Sequence, residues 1–448
     1  MSVSINLNTS NASSGTGIDV TSVVNQILDG DRANERLWQA QEATLGQQGL
    51  ALSAIGANMS DLQTQVNDLK DVFGSLTAMT ATSSLPDVLA ASAQSSATPG
   101  THLINIGNLA TTSSYYTGEL ADSGTTFSTG SFNLQVGNGT AVPITVDGTN
   151  NTLDKLATYI NQQNLGVSAS VITDAKGARL ALVSNASGDP GDLTISGNTT
   201  GLVFSKAVTG KNATLTVDGV PVSSSINTVT TAIPGVTLTL LGQSDSDIRL
   251  TVGADTAQAG QAISDFVTSY NKVMQSINSQ FTVDSTGAAG ALASNSMLRS
   301  LQASLLSDIT YSLDGNNGIV NLQSLGVAMG NDGTLSVDSS RLNDVLGSQF
   351  ADFKNFFQAQ GAKQGFAFNL SNDLNALNGP GSGLIAINQN EISTTTKMLS
   401  DQINDFEDRL VARQQLLINQ YSQVDAMLRQ LPLLEQQVTD QLASIKTS

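Results

Sequence analysis

His102 is the only histidine of this 448-residue chain, so any catalytic triad or multi-histidine metal site would have to be built around it. It lies in the strand-like segment THLINIG, beside no carboxylate in the sequence, and we interpret it as an ordinary strand residue. The chain has no cysteine, which excludes thiolate catalysis, disulfide bonds and thiolate metal sites. We therefore predict that the protein is not an enzyme.

Two glycine-containing segments match nucleotide-binding loops only in part. The segment SKAVTGKN has the Gly-Lys pair of a phosphate loop at Lys211, but Ser205 occupies the place of the first glycine and Asn212 that of the Ser or Thr. Gly15-Thr16-Gly17 precedes a predicted helix but follows no strand, so it does not predict a dinucleotide site. We expect no cofactor.

Acidic residues suggest turns more than metal sites. The Asp-Gly pairs at 147, 218 and 332 lack the twelve-residue loop and glutamate of a calcium site, and they predict hairpin turns. Paired carboxylates for glycoside cleavage stay open as an alternative because the fold, not the sequence, sets their spacing. We interpret Asp189 and Asp192, which flank Pro190-Gly191, as loop residues.

The charge balance limits the partners. The chain carries 37 acidic and 19 basic residues, a formal net charge of −18, so its field repels phosphate backbones and we expect no nucleic acid partner. No run approaches the roughly 18 apolar residues that span a bilayer, which predicts no membrane insertion. Met1 to Ser14 lacks the features of a cleavable signal. We expect the protein to stay in the cytoplasm or to leave by a route that reads no such signal.

Helical periodicity marks the N-terminal part of the chain. A first helix has one apolar face formed by Val20, Val23, Val24, Ile27 and Leu28, with Asp19 as its predicted N-cap. Apolar residues then recur every seven positions, as in a coiled coil, at Trp38, Leu45, Leu52, Met59, Val66 and Phe73, with a second row at Ile55, Leu62, Leu69 and Leu76. Gly46, Gly49 and Gly56 weaken such a helix, so we expect partners to stabilise it.

A second seven-residue repeat lies at the C-terminal end, in a segment that begins near Asn388. Its residues are Ile403, Leu410, Leu417, Val424, Leu431, Val438 and Ile445, and Leu399, Phe406, Met427 and Leu434 fill part of the second row. Arg413, Gln420 and Gln441 interrupt that row, and Pro432 predicts an end or kink of the helix near Leu431. We expect neighbouring chains to complete this imperfect helix.

Between about Thr80 and Thr256 the period changes to two, which predicts antiparallel strands. The predicted strands are LINIGNLA, FNLQVGN, VPITVDG, VSASVIT, RLALVSN, DLTISGN, ATLTVDG, VTLTLLG and IRLTVG. A short helix is predicted at Leu153, Leu156, Ala157 and Ile160. The likeness of ITVDGTNNTLDKLATYIN and LTVDGVPVSSSINTVTTAI hints at two related β subdomains.

After Thr256 the helical period returns. One apolar stripe contains Ile263, Phe266, Val267, Tyr270, Val273 and Ile277, and another contains Met297, Leu298, Leu301, Leu305, Ile309 and Leu313. MGNDGTLSVD predicts a small hairpin, and Arg341 to Phe357 predicts a further helix.

We therefore predict an α+β fold in which a discontinuous helical leg, an antiparallel bundle with a terminal coiled coil from both chain ends, carries an inserted β-rich head of two subdomains. The predicted segments are an N-terminal coiled coil at 1–40, helical leg at 41–80 and 256–395, head at 81–255, and a C-terminal coiled coil at 396–448.

An ordered set of motifs resembles the flagellar filament cap protein family, also called hook-associated protein 2. The motifs are GTGIDVTSVVNQIL, PGTHLINIGNLA, TLDKLATYINQQNLGVSASVITDAKGARLALVSNASG, NATLTVDGVPVSSSINTVTTAIPGVTLTL, ISDFVTSYNKV and LQSLGVAMGNDGTLSVDSSRLNDVL. The family more often has Ser and Leu where this chain has Thr16 and Ile18, and an aromatic where it has His102. The resemblance covers nearly the whole chain.

The resemblance implies export through the flagellar type III channel and an extracellular place at the distal filament tip. There the protein would assemble with itself into a ring and promote the folding and insertion of flagellin. Other implied partners are the hook-filament junction proteins, an export chaperone and, through the head, host mucin or cell surfaces. The terminal helices would act as legs, so we predict docking residues Trp38, Leu45, Leu52, Ile403, Phe406, Leu410, Leu417, Val424 and Leu431.

Two alternative functions stay open. Flagellin or a junction protein would share the helical ends but should lack the head motifs quoted above. A secreted adhesin would use the helices only to oligomerise, although an aromatic content of 4% is low for a head that stacks on sugars.

Overall fold

The computed structural model describes residues 18–283, 287–360 and 363–446, with side chains described to residue 442. Two compact units make up the chain. We call residues 71–260 the β unit, and residues 1–70 together with 261–448 the helical unit.

Two helices begin the helical unit. Helix α1 spans Val20–Asp31 and is capped by Asp19, whose carboxylate accepts a hydrogen bond from the Ser22 amide at 3.0 Å, which confirms the predicted cap. Helix α2 spans Ala33–Lys70. The two predicted rows of α2 are buried at Leu52, Ile55, Met59, Leu62, Val66 and Leu69.

The predicted repeat is wrong beyond Lys70, where α2 ends. Asp71 closes a turn there, because its carboxylate accepts from the Phe73 amide at 2.9 Å and its carbonyl accepts from the Gly74 amide at 3.0 Å. Phe73 is consequently 80% exposed, and Leu76 is buried from a short 3₁₀ turn instead of a helix.

The β unit contains fifteen described strands and one helix. They are β1 Met79–Ser83, β2 Leu89–Ala93, β3 Gly100–Asn108, β4 Thr112–Thr117, β5 Gly130–Val136, β6 Val142–Val146, α3 Leu153–Gln162, β7 Val167–Asp174, β8 Gly177–Ser187, β9 Leu193–Ser196, β10 Phe204–Val208, β11 Ala213–Val217, β12 Val220–Ser224, β13 Thr228–Ile233, β14 Val236–Leu240 and β15 Ile248–Ala254.

These strands form antiparallel sheets around two apolar clusters. A five-stranded sheet of order β1-β15-β3-β11-β12 and a three-stranded sheet β13-β14-β2 enclose one cluster, which includes Ile104, Leu238 and Leu250. A four-stranded sheet β10-β4-β8-β7, a three-stranded sheet β6-β5-β9 and α3 enclose the other, which includes Phe132 and Leu182. The insertion therefore has two cores.

All nine predicted strands and the predicted short helix are confirmed. Six strands were not predicted, namely β1, β2, β4, β10, β12 and β13. Several of them are poor in large apolar residues, as in MTATS and LAASA, and they are fixed by pairing with predicted strands such as β15 and β14. Their structure is decided by a neighbour and not by their own pattern.

Two of the three predicted Asp-Gly hairpins are confirmed. Asp218 and Gly219 join β11 to β12, with φ values of 53° and 80°. The Asp-Gly pair at 332 lies in a hairpin of the helical unit. The prediction of a hairpin at the Asp-Gly pair at 147 is wrong. Asp147 accepts a hydrogen bond from the Thr149 amide at 2.8 Å, and the chain continues into α3 instead of a second strand. The two similar sequence pieces therefore have different structures.

The rest of the chain forms helices and one small hairpin. They are α4 Thr256–Phe281, α5 Ser296–Ile309, β16 Val327–Met329, β17 Leu335–Val337, α6 Ser339–Ser348, α7 Phe350–Gln358, α8 Phe366–Asn378 and α9 Leu384–Lys446. Both predicted apolar stripes after Thr256 are buried, and the hairpin of MGNDGTLSVD is confirmed.

Two helix predictions need correction in this region. The single helix at Arg341 to Phe357 is instead α6 and α7, because Gln349 has non-helical dihedrals, φ −133° and ψ 36°. Helix α8 was not predicted, although Phe366, Leu370, Leu374 and Leu377 follow helical spacing and are buried.

An end or a kink of the C-terminal helix was predicted near Leu431. The end is wrong, since α9 continues through Pro432 to Lys446, and the kink stays a prediction. The fixed φ of proline is compatible with a helix, and the cost arises from the lost amide bond to the carbonyl four residues earlier. Residues 431–440 are exposed, so water can satisfy the freed carbonyl near them.

The predicted fold class is confirmed: long helices from both chain ends pack together, and β-sheet domains are inserted between them. The predicted segment boundaries stay a prediction. Helix α2 runs without interruption across the predicted boundary after residue 40, and α9 across the one after residue 395.

Candidate interaction surface on the terminal helices

The N-terminal helices lie antiparallel to α9. The Ile18 amide donates to Asp425 Oδ1 at 2.8 Å, and further along the pair Trp38 of α2 contacts Phe406. As residue numbers rise along α1 and α2, the numbers of their partners fall along α9. The predicted antiparallel pairing of the two chain ends is therefore confirmed for residues from Ile18 onward. We call this contact the seam.

A small apolar cluster holds α1 on α9. Val24, Leu28 and Leu410 are buried in it. Partly buried residues pack around it, namely Val20, Phe406, Leu417, Ile418 and Tyr421. Because only three side chains of this cluster are buried, apolar burial in this part of the seam contributes a few kcal/mol, at roughly 1.5 to 3 kcal/mol for each side chain.

Ion pairs lie beside this cluster, at the junction between α1 and α2. Arg32 donates from Nη1 to Glu407 Oε1 at 2.5 Å and from Nη2 to Glu407 Oε2 at 2.9 Å, a bidentate pair between chain ends. Arg32 Nη1 also donates to the buried Glu35 at 2.7 Å. The geometry of two parallel bonds fixes the register of the junction against α9.

Arg413, which interrupts the predicted apolar row, has a partner within the chain. Its Nε lies 3.2 Å from Asp31 Oδ2. The interruption is therefore part of the intramolecular seam, and completion of this helix by neighbouring chains stays a prediction.

Two carboxyl groups of the seam have lowered pKa values. Hydrogen bonds from Arg32 hold the pKa of Glu407 below its ordinary value. The side-chain hydrogen bond from Arg429, followed by that from the Ile18 amide, lowers the pKa of Asp425. Both groups are ionised at neutral pH, as the ion pairs require.

An open groove of about 630 Å³ lies between α2 and α9 further along the seam. Leu45, Gly46, Gly49 and Ile392 line it, and a Cβ built on Gly46 would have no neighbour within 4 Å. The two helices are therefore loosely packed at this level.

From Val424 onward, α9 presents apolar side chains that are largely exposed in the described part of the chain. Heptad spacing continues through Val424, Met427, Leu431, Leu434 and Val438, which are 41 to 62% exposed. We call these five residues the exposed stripe. Leu433 and Leu442 are exposed beside it, whereas the side chain of Ile445 lies outside the described residues.

The structure distributes the nine predicted docking residues among three environments. Leu52 and Leu410 are buried inside the chain, and Trp38, Leu45, Ile403, Phe406 and Leu417 are partly buried along the seam. Val424 and Leu431 belong to the exposed stripe. Contact of any of them with another chain stays a prediction. Sequence reasoning missed Arg32, Glu35 and Glu407, for which isolated charges in a heptad pattern were the available signal.

In the described ranges, no group of three or more His, Asp or Glu residues is arranged to hold a metal ion. His102 Nδ1 instead lies 2.7 Å from Asp218 Oδ2, at the tip of the β11–β12 hairpin. None of the described helices is long and apolar enough to cross a bilayer. Gly15-Thr16-Gly17 lies outside the described residues.

Known families match most of the chain. The profile of the flagellar hook-associated protein 2 C-terminus matches residues 210–432, and that of its N-terminus matches residues 16–113. The profile of the flagellin hook IN motif matches residues 131–186, within the β unit.

Full-length relatives agree with these profiles. The chain is 30% identical to the B-type flagellar hook-associated protein 2 of Pseudomonas aeruginosa, over 95% of this chain and 96% of that protein. It is 25% identical to the flagellar hook-associated protein 2 of Escherichia coli K12, over 97% and 98% of the two chains.

Among solved structures, the crystal structure of the D1-D2-D3 domains of the flagellar cap protein FliD from Escherichia coli has the same fold. It aligns with a TM-score of 0.58 and 24% identity, covering 77% of this chain and 99% of that one. The family is a structural, non-enzymatic one, in agreement with our prediction that the chain is not an enzyme. With its motifs, its antiparallel terminal helices and its inserted β domains, this chain belongs to the flagellar hook-associated protein 2 family.

Proposed function

We propose that this protein caps the distal tip of the bacterial flagellar filament, where it assembles with itself into a ring and promotes the folding and insertion of flagellin. The observation that carries the proposal is the exposed stripe on α9, in a chain that belongs to the hook-associated protein 2 family. A related Escherichia coli protein of the same fold is described as a flagellar cap protein.

The exposed stripe supports docking because its apolar residues repeat every seven positions on a helix that continues past its described intramolecular partner. Heptad positions at 41 to 62% exposure leave apolar area in water that a second helix would bury. In this proposal the segments 1–40 and 396–448 dock at the filament tip, and flagellin helices cover the stripe.

The other partners belong to the same proposal. Before assembly, an export chaperone would cover apolar residues at the end of α9, and export would use the flagellar type III channel. When the cap first assembles, it would bind to the hook-filament junction proteins. Adhesion to host mucin or cell surfaces would use the β unit, which the chain inserts between the two parts of the helical unit.

A strain that lacks this gene tests the proposal. We expect it to secrete unpolymerised flagellin and to carry no filaments, and to recover when the wild-type gene is supplied. Filaments of ordinary length in the deletion strain would overturn the proposed function.

Substitutions in the exposed stripe test docking more sharply. Replacing Met427, Leu431 and Leu434 together by serine should abolish complementation while leaving the purified protein folded, because all three side chains are exposed. The matched control replaces Val411 and Leu416, equally exposed residues of α9 outside the heptad rows, by serine. If both variants complement equally well, the stripe has no docking role.

A further inference from the structure

Strand β7 lies at the edge of the four-stranded sheet β10-β4-β8-β7, so one side of its backbone pairs with β8 and the other side faces outward. The side-chain amide of Asn161, at the end of α3, marks the outward side. Its Nδ2 donates to the Ala169 carbonyl at 2.8 Å, and its Oδ1 accepts from the Ala169 amide at 2.8 Å. Because alternate residues of an antiparallel strand direct their N–H and C=O groups to the same side, Val171 and Thr173 also direct theirs outward.

The hydrogen bonds of β8 agree with this orientation. Leu180, which lies opposite Val171, donates its amide to a threonine of β4 at 2.9 Å. Ala178, which lies opposite Thr173, exchanges both backbone hydrogen bonds with Leu120 at 2.9 Å. Both residues of β8 therefore turn their backbone groups away from β7. Within the described residues, no hydrogen bond reaches the outward groups of Val171 and Thr173.

Three other edge strands of the β unit carry residues that hinder the addition of a further strand. They are Pro143 in β6, Pro221 in β12 and Lys206 in β10. The sequence of β7, VSASVITD, contains neither proline nor lysine, and Ile172 on its outer face is 56% exposed. We call residues 170–174 the open edge.

The open edge is complementary to itself. Its two residues with outward backbone groups, Val171 and Thr173, lie symmetrically about Ile172. If two copies pair antiparallel about this centre, Val171 of each copy lies opposite Thr173 of the other, and each such pair exchanges two backbone hydrogen bonds. The two Ile172 side chains then meet at a non-hydrogen-bonded position, with their Cα atoms about 4.5 Å apart, and cover each other. Asn161 already occupies the backbone of Ala169, which keeps the register from shifting toward the start of β7.

The charges near the open edge permit a second copy to approach. The chain has a formal net charge of −18, but residues 167–187 carry two basic residues, Lys176 and Arg179, and one acidic residue, Asp174. Arg179 and Asp174 pair with each other at 3.0 Å. The contact is short compared with the roughly 800 Å² per partner of a stable interface, so we expect weak, concentration-dependent pairing.

We propose that two copies of this chain pair antiparallel through the open edge of β7 and so join two four-stranded sheets into one, with Asn161 setting the register. This contact has two-fold symmetry, whereas a ring closes through head-to-tail contacts. The inference therefore does not rest on the proposed function, and its failure would leave that function untouched.

Cysteine cross-linking of the full-length protein tests the contact, because the wild-type chain has no cysteine. On mild oxidation with oxidised glutathione, Ile172→Cys should form a covalent dimer. The matched control is Ser168→Cys, an exposed position on the same face of β7, whose two thiols would lie about 27 Å apart in this register. At equal protein concentration we expect about tenfold more dimer from Ile172→Cys, since a disulfide requires Cα atoms within about 7 Å.

A proline tests the backbone pairing. Thr173→Pro removes an N–H group that faces outward, so the ladder between β7 and β8 should remain intact. Added to Ile172→Cys, this substitution should reduce the dimer to the level of Ser168→Cys while circular dichroism stays unchanged. Retention of the dimer in a folded double variant would overturn the proposal. If the double variant is unfolded, equal cross-linking of Ile172→Cys and Ser168→Cys would still overturn it.

A further pair of variants tests the role of Asn161. Asn161→Ala frees the backbone of Ala169 and so permits a register centred on Ser170. Ser170→Cys should therefore cross-link weakly alone and more strongly together with Asn161→Ala. Equal cross-linking with and without Asn161→Ala would show that Asn161 does not set the register.

Discussion

Trp38 and Phe406, from opposite ends of the chain, meet edge to face with their ring centroids 5.6 Å apart and their planes at 89°. Aromatic pairs in this geometry contribute about 0.5 to 1.5 kcal/mol beyond their buried area. Trp38 is also the only tryptophan of the protein, so its fluorescence reports on the seam alone.

Deleting Asn404 to Ser448 should expose Trp38, because the deletion removes Phe406. We expect the tryptophan emission to shift to longer wavelength, while circular dichroism still shows a folded β unit. A shorter deletion that starts at Glu435 retains Phe406 and should leave the emission unchanged. An unshifted spectrum in the longer deletion would contradict the Trp38–Phe406 contact. In cells, the longer deletion should also abolish filament capping.

Leu410→Ala and Leu431→Ala should differ in stability although both residues belong to one heptad row. Leu410 is 4% exposed in the cluster with Val24 and Leu28, whereas Leu431 is 52% exposed. We expect a cost of about 2 to 4 kcal/mol for Leu410→Ala and less than about 0.5 kcal/mol for Leu431→Ala. Urea unfolding followed by Trp38 fluorescence measures both, and equal costs would show that Leu410 is not part of a core.

Arg32→Gln should raise the pKa of Glu407 toward its ordinary value of 4.5, because Arg32 is the main cause of its lowering. A lowered folded pKa adds stability that is present above the ordinary value and is lost as the pH falls through the lowered one. The loss of seam stability on acidification should therefore be smaller in the variant. Carboxyl NMR titration measures the pKa directly.

The control for Arg32 is Lys397→Gln, which removes an exposed pair with Asp401 within α9. This variant should leave both the Glu407 titration and the Trp38 signal as in the wild type. A Glu407 titration that is identical in Arg32→Gln and the wild type would rule out the bidentate pair.

Gly46→Ala should raise the free energy of unfolding by about 1 kcal/mol, the usual difference between glycine and alanine inside a helix. The new methyl group meets no atom within 4 Å at this position. At Gly56 a Cβ would lie 3.3 Å from Asn378 Oδ1 and 3.4 Å from Ile385 Cγ2, so Gly56→Ala should gain less or lose stability. Thermal unfolding of the two variants measures both changes in stability. An equal gain in stability in both would contradict the close approach at Gly56.

His102→Ala should leave filament capping intact and change only the titration of Asp218. The hydrogen bond from His102, followed by that from the Leu103 amide, lowers the pKa of Asp218. Without the imidazole this pKa should rise toward 3.8, while the Leu103 amide still donates to Asp218 at 2.8 Å and retains the turn. Loss of capping in a variant whose β unit is folded would reopen a chemical role for His102.

The elements themselves were largely predictable because local periodicity records which face of a segment is buried. Residue spacing alone predicted nine strands, the helices α1 and α3, and the apolar stripes of α4 and α5. The errors lie where a local signal conflicts with context. Phe73 continues the heptad count after the helix has ended, and Pro432 occurs in a helix that nevertheless continues.

The candidate site was less predictable, since its polar part depends on register. In the sequence, Arg413 interrupts a row of apolar residues. Its partner Asp31 lies on another helix, near the other end of the chain.

By itself, the sequence determined the helical ends, the inserted β strands and the family, because these depend on residue order and local spacing. Only the tertiary structure decided which heptad residues are covered. Leu410 is buried because α1 lies against it, and Leu431 is exposed because the described seam ends where the Ile18 amide meets Asp425. Identical side chains in the same repeat therefore differ in burial, since burial depends on which partner helix reaches each level.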